Sequence, residues 1–277
     1  MAKPLGPLET QLLAYAQMRR MQVVRLGDLA GPLRLSGSQE LKLLSKLSRK
    51  GLIARVIRGL YLLPPRLPLG GTWSPDEASA IKALMNARLN GNGADKPGLY
   101  QISGPNAFNR YGFDEQVPVR VYLYNNRFSG DRRVGAVLLT LIKVADERLG
   151  STEETATPDG LRLVYASRVR ALVDAVYDWS RFDSLPRGYD WIRRELAARR
   201  IRAEDLVRET LRFGNQGTIR RMGVLLDQQG VPEPLLRRLE KALSRSSSLI
   251  PWIPTAPKRG QASSRWGVVV NAESRGQ

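Results

Sequence analysis

The chain has 277 residues, 42% hydrophobic and 25% charged, with a formal net charge of +18 and neither histidine nor cysteine. That length fits two domains, each with a buried core, and the composition argues against wholesale disorder. The two missing residue types exclude disulfides, thiol nucleophiles, thiolate metal sites and any catalysis or zinc binding that needs an imidazole, so an enzyme is the minority reading.

No apolar run reaches the ~18–20 residues that span a bilayer. Residues 1–7 begin no secretory signal, and a cytoplasmic protein without membrane contact is expected. The charge is uneven: residues 1–66 hold 12 Lys/Arg against 3 Asp/Glu, half of the net excess in a quarter of the chain. Such concentration favours a polyanion, because neutralised phosphates release counterions.

Leu8, Leu12, Leu13, Tyr15 and Ala16 form a helical stripe that ends near Arg19-Arg20, and a second short helix is predicted over Leu26–Leu33. Ser36 with Gln39 three residues on is a capping-box pattern, and Gly51 is a natural stop, which bounds a third helix. At 100° per residue Leu41, Leu43, Leu44 and Leu47 share one side of it. Ser38, Gln39, Lys42, Ser45, Lys46, Arg49 and Lys50 cover the other. The β-rich run Leu52–Leu63 follows, with a turn at Arg58-Gly59. A basic helix running into a basic hairpin describes a recognition helix and its wing. Arg55 and Arg58 are placed to meet the DNA backbone or minor groove.

The Pro/Gly-rich stretch 64–73 is the expected boundary, giving a winged helix-turn-helix domain over 1–66 and a larger mixed α/β domain over 67–277, an α+β protein overall. Ser74-Pro75-Asp76-Glu77 opens a helix with Ser74 as its cap, and Asn90–Gly98 reads as a loop. Strands are predicted at Leu99–Ser103, Val117–Tyr124, Gly135–Val144 and Leu161–Ala166, with a helix over 105–111. Helices follow over Ser167–Trp179, Tyr189–Ala198, Ala203–Phe213, Thr218–Gln229 and Glu233–Ser244, then a strand at Trp266–Asn271.

No phosphate loop or dinucleotide fingerprint is present. The carboxylate pairs Asp114/Glu115, Asp146/Glu147 and Glu153/Glu154 read as solvated, and Glu40-Leu-Lys42 matches the E-x-K of metal nucleases by chance. No catalytic residue, metal or cofactor is assigned. Asp174 is spaced to pair with Arg168 or Arg170. The basic pairs Arg220-Arg221, Arg237-Arg238 and Lys258-Arg259 suggest a second polyanion- or partner-binding surface.

Taken in order, these segments resemble the AbiEi family of antitoxins, transcriptional regulators encoded beside nucleotidyltransferase toxins in bacterial type IV toxin–antitoxin systems. The resemblance rests on Leu47–Tyr61, on Ile102-Ser103-Gly104 through Tyr111–Pro118, and on Ser167–Asp174. It continues through Phe213-Gly214-Asn215 with Arg220–Leu226, and closes with Lys258-x-Gly260 and Arg265–Asn271. Segments 90–98 and 178–188 and the tail after Asn271 have no counterpart.

The resemblance implies a repressor that binds inverted repeats in its own promoter, with two copies on a symmetric site or one copy per half-site, the chain being a monomer in solution or a dimer on DNA. It also implies a cognate nucleotidyltransferase toxin that is countered with or without a stable complex. Ser38, Gln39, Lys42, Lys46, Arg49, Lys50, Arg55 and Arg58 are assigned to promoter DNA, and Arg168, Arg170, Arg220 and Arg221 to an antitoxin surface. The rival readings are a winged-helix transcription factor whose C-terminal domain senses a small molecule, and a DNA-targeted metal nuclease.

Overall fold

A computed structural model describes residues 5–66, 71–87, 98–244 and 248–271. The chain forms two compact units: Met1–Gln101 with Val119–Leu149 and Glu154–Leu163, and Ile102–Pro118 with Gly150–Glu153 and Val164–Gln277. The loop expected at 90–98 falls, except for Gly98, outside the described residues, as does the tail after Asn271.

The first unit begins with α1 (Pro7–Met18), β1 (Val23–Arg25), α2 (Gly37–Arg49), β2 (Ala54–Ile57) and β3 (Leu60–Leu62). The three strands make an antiparallel sheet in the order β1-β3-β2. Leu12, Leu13 and Ala16 of α1 meet Leu43, Leu44 and Leu47 of α2 in one core, closed by Val24 and Tyr61 of the sheet. Burying each leucine there contributes about 1.5–3 kcal/mol, which is what holds two short helices on a small sheet.

The helix expected over Leu26–Leu33 is instead a series of turns. Gly27 takes a φ of +103°, Arg34 takes +52°, and Pro32 has no N–H to donate, so a continuous helical ladder cannot form. Leu29 and Leu33 nevertheless reach the core, with Leu33 N–H bonded to Leu29 O at 3.0 Å.

Beyond the sheet, α3 (Glu77–Met85) is capped by Asp76, whose carboxylate accepts from Ser79 N–H at 2.8 Å. The cap expected at Ser74 is therefore two residues too early. A six-stranded sheet comprises β4 (Tyr100–Ile102), β5 (Val121–Asn125), β6 (Gly130–Val134), β7 (Val137–Lys143), β8 (Thr152–Ala156) and β9 (Arg162–Ala166), in the order β6-β7-β5-β4-β9-β8. β5 runs parallel to β7, with Val121 opposite Leu139, and β6 antiparallel to β7. Its two edge strands, β6 and β8, escaped the sequence reading: Gly-Asp-Arg-Arg-Val and Thr-Glu-Glu-Thr-Ala are polar, as edges exposed to other chains tend to be.

The second unit holds α4 (Pro105–Arg110), α5 (Arg168–Tyr177), α6 (Trp179–Phe182), α7 (Arg187–Ala197), α8 (Ala203–Phe213), α9 (Gln216–Gln228) and α10 (Glu233–Lys241). A small sheet, β10 (Ile250–Pro251), β11 (Gly260–Ser263) and β12 (Val268–Asn271), completes it in the order β10-β12-β11. α5 is the centre: Arg170 through Val176 are all buried, and α7, α8 and α9 pack around it. Trp266 lies so close over α9 that a Cβ at Gly223 would sit 2.2 Å from its ring. Its indole N–H donates to Asp227 Oδ2 at 2.9 Å. Asn271 ties the small sheet together, accepting from Ile253 N–H at 2.8 Å and donating to the Ile253 and Pro257 carbonyls.

Candidate nucleic-acid interface

The chain between Ser36 and Gly51 builds the helix on which the site rests. Ser36 Oγ accepts from Gln39 N–H at 3.3 Å, and Gln39 Oε1 accepts from Ser36 N–H at 2.8 Å, so both halves of the capping box form. Gly51, at a φ of +71°, supplies the left-handed residue that ends the helix. Leu43, Leu44 and Leu47 face the core as expected, while Leu41 is only half-buried. Ser38, Gln39, Lys42, Lys46 and Arg49 are exposed. The helix thus presents three cations and two short polar side chains to solvent along one face.

Two of the assigned lysines are not simply solvated. Lys50 Nζ lies 2.6 Å from Glu9 Oε2 and Lys46 Nζ 3.1 Å from Glu9 Oε1. Lys50 is only 17% exposed, whereas Lys46 keeps 56% of its side-chain surface. Burial by itself would raise the Glu9 pKa. Hydrogen bonds from Lys50, Gly6 N–H and Lys46 outweigh it and hold the carboxyl at about 2. Glu9 therefore stays ionised at any physiological pH and acts as a fixed counter-charge under the C-terminal turn of α2. Sequence reading missed it because its partners lie some forty residues away.

Glu40 is the second residue that the pattern did not reveal. It is fully buried, and its two oxygens accept from Gly27 N–H at 2.8 Å and Leu29 N–H at 2.9 Å. A carboxylate from α2 thereby satisfies two main-chain donors of the turn segment that stands in place of the expected second helix. This explains a glutamate on the inner side of an apolar stripe and accounts for the resemblance to E-x-K. Among the described residues no group of three or more metal-ligating side chains gathers anywhere.

The hairpin after α2 closes with Ile57 opposite Leu60, leaving Arg58-Gly59 as a two-residue turn with Gly59 at a φ of +77°. Ala54 and Val56 point inward, while Arg55 and Arg58 are exposed. Gly59 O accepts from Leu26 N–H at 2.8 Å, tying the wing to the turn segment. Helix face and wing are thus two basic ridges on one rigid core.

The residues assigned to an antitoxin surface lie elsewhere and mostly inside. Arg170 has no exposed surface. Its Nε donates to Asp174 Oδ1 at 2.9 Å, its guanidinium lies 3.8 Å from the Phe213 ring centre, and Ser103 Oγ donates to the other Asp174 oxygen at 2.9 Å. Arg220 and Arg221 are 7% and 8% exposed and donate to the main-chain carbonyls of Ser248 and Pro251. Desolvation draws the Arg221 pKa below its usual value. Each of these three arginines is engaged in holding the core or the C-terminal segment. Arg168 is the most exposed of the four: it is half-buried, pairs with Glu195 at 2.9 Å and lies over the Tyr111 ring at 4.9 Å. The Asp174 partner anticipated from spacing is Arg170, at i,i+4.

The fold and this basic face define a winged helix-turn-helix unit joined to a larger mixed α/β region. Residues 11–64 match the family described as "Transcriptional regulator, AbiEi antitoxin", so this N-terminal segment is similar to that family of regulators. No curated protein matches the chain. Among solved structures the RV2827C protein from Mycobacterium tuberculosis is similar, with a TM-score of 0.53 over 96% of this chain and 92% of that one. At 14% identity the likeness is one of fold. No described helix is long and apolar enough to cross a membrane.

Proposed function

We propose that the protein is a DNA-binding repressor of its own promoter and the antitoxin to a nucleotidyltransferase toxin. The observation that carries the DNA half is the exposed row Ser38, Lys42, Lys46 and Arg49 on a capped, well-anchored helix, with Arg55 and Arg58 on the hairpin that follows. A helix of this kind enters a major groove with its polar side chains toward base edges and its cations toward phosphates. Gln39 and Lys50 support that surface from within, one through the cap and the other through Glu9. Inverted repeats would be read by one copy per half-site.

The antitoxin half is supported by the family match at residues 11–64 and by the resemblance of the later segments. Arg168 is the assigned arginine left to meet a toxin in the cytoplasm. The test uses the full chain. Lys42→Ala with Arg49→Ala should abolish the shift of a duplex from its own promoter and release repression, while cells expressing the neighbouring toxin stay protected. Arg168→Ala should do the reverse. A wild-type protein that fails to retard that duplex at about 0.1 M salt would overturn the DNA reading. Protection that vanishes with the DNA-binding variants would overturn a separate antitoxin function.

A further inference from the structure

A second basic feature of the first unit lies outside the winged helix. β6 and β7 form a hairpin in which Val134 faces Val137 across a Gly135-Ala136 turn. Gly135 is required there: it has a φ of +63°, and a Cβ would stand 2.7 Å from Ser74 Oγ. Ser74 Oγ accepts from Ala136 N–H at 2.8 Å, and the neighbouring Trp73 N–H donates to Gly51 O, at the end of α2, at 2.7 Å. Two main-chain donors therefore link the hairpin to the recognition helix through residues 73–74, and β2 lies in contact with β6. The hairpin is held in register with α2 rather than free beside it.

Between these elements runs a groove of about 650 Å³. Arg55 of β2 and Arg133 of β6 line it, with Ser48, Thr72, Ser74 and Ala136, and no Asp or Glu is among its lining residues. Both arginines are exposed. Arg133 Nε donates to Gly135 O at 2.9 Å, which orients the guanidinium and leaves its outer N–H groups for another acceptor. The acid next in the strand, Asp131, is taken by Arg120 and by Thr140 Oγ1. Two exposed guanidinia, that of Arg133 oriented by its bond to Gly135, together with hydroxyl groups and no carboxylate form a lining suited to phosphate oxygens.

We propose that this groove receives the phosphodiester backbone of the duplex whose major groove takes α2, with Arg55 and Arg133 contacting its phosphates. The inference rests on the DNA reading above and extends the interface from the winged helix to β6. The charge complementarity of the lining, and its hydrogen-bonded link to the end of α2, select a duplex held by that helix over a separate partner. Arg133 is thereby a positioning contact that fixes register and adds affinity without reading sequence.

The experiment measures binding of the full chain to a duplex from its own promoter between about 50 and 300 mM salt. Arg133→Ala should weaken binding about three- to tenfold and make the slope of log K against log salt shallower by about 1. Arg133→Lys should restore most of that slope, and Arg162→Ala, whose residue lies outside the groove and pairs with Glu154, should leave it unchanged. Arg133 is exposed, so its variants should keep the wild-type melting temperature, with Arg133→Gln as a second neutral replacement. Unchanged affinity and slope in folded Arg133→Ala and Arg133→Gln, with wild type bound, would overturn the inference and leave the DNA reading standing. Absence of wild-type binding would remove both. A loss confined to single-stranded RNA of equal length would assign the groove to RNA and overturn the proposal.

Discussion

Arginine-rich helices occur in both units and do opposite work. On α2 the cations stand outward from a leucine core, and even the lysines that are restrained lean on one buried acid, Glu9. On α5 and α9 Arg170, Arg220 and Arg221 point inward, where Arg170 pairs with Asp174 under the Phe213 ring and Arg220 and Arg221 fasten the segment leading into β10, while Arg168 at the start of α5 stays half-exposed. A basic run in a sequence thus specifies charge but not direction. What decides direction is whether the opposite face of the helix is free to form the core: α2 has such a face, and α5 is buried from Arg170 through Val176.

The sharpest way to break that contrast is Asp174→Ala. It leaves a fully buried guanidinium without its carboxylate and should cost about 3–5 kcal/mol in denaturant unfolding. A loss under about 1 kcal/mol would mean that Arg170 is not held as described. Replacing Arg220 and Arg221 together by Ala should follow, at about 1–3 kcal/mol, since two hydrogen bonds from charged, largely buried donors to main-chain carbonyls are lost. If that double variant instead melts like wild type and fails only in toxin protection, the two arginines belong to a surface after all.

Glu9 offers a subtler test on the other side of the comparison. Its folded pKa of about 2 lies below the ordinary glutamate value of 4.5. Its contribution to stability is therefore complete above pH 4.5 and is lost as pH falls through about 2. Acid unfolding of Glu9→Gln should lack that part of the pH dependence. At neutral pH the same variant releases Lys46 and Lys50 from a counter-charge, and should bind promoter DNA a few-fold more tightly with a steeper salt slope. Weaker binding would mean that Glu9 poises the lysines rather than restrains them. The smallest expected difference is between single alanine variants of α2: Arg49→Ala should flatten the salt slope by about 1, and Lys46→Ala by less.

Much of the first unit was legible because its signals are local. The Ser36–Gln39 cap, the Gly51 stop, the leucine stripe and the Arg58-Gly59 turn each depend on residues within a few positions of one another. Ala203–Phe213 was likewise readable from its own periodicity and forms as expected. The missing second helix had a visible warning in Gly27, Gly31 and Pro32, but its replacement by a carboxylate thirteen residues away did not. β6 left one usable trace, a Gly-Ala turn flanked by valines, masked by its Asp-Arg-Arg sequence. The inward turn of Arg220 and Arg221 had no local signature, since their acceptors are carbonyls some thirty residues further on.

The placement of Glu40 also bears on how such a protein could acquire a new operator. Positions 40, 43, 44 and 47 of α2 are committed to the interior, 39 to the cap, and 46 and 50 to Glu9. Among the exposed side chains of the helix, that leaves Ser38, Lys42 and Arg49 as positions where drift or engineering could rewrite base preference without disturbing the fold, about one per helical turn. Under the proposed DNA-binding role, diversification of base preference would be confined to a narrow strip of three side chains.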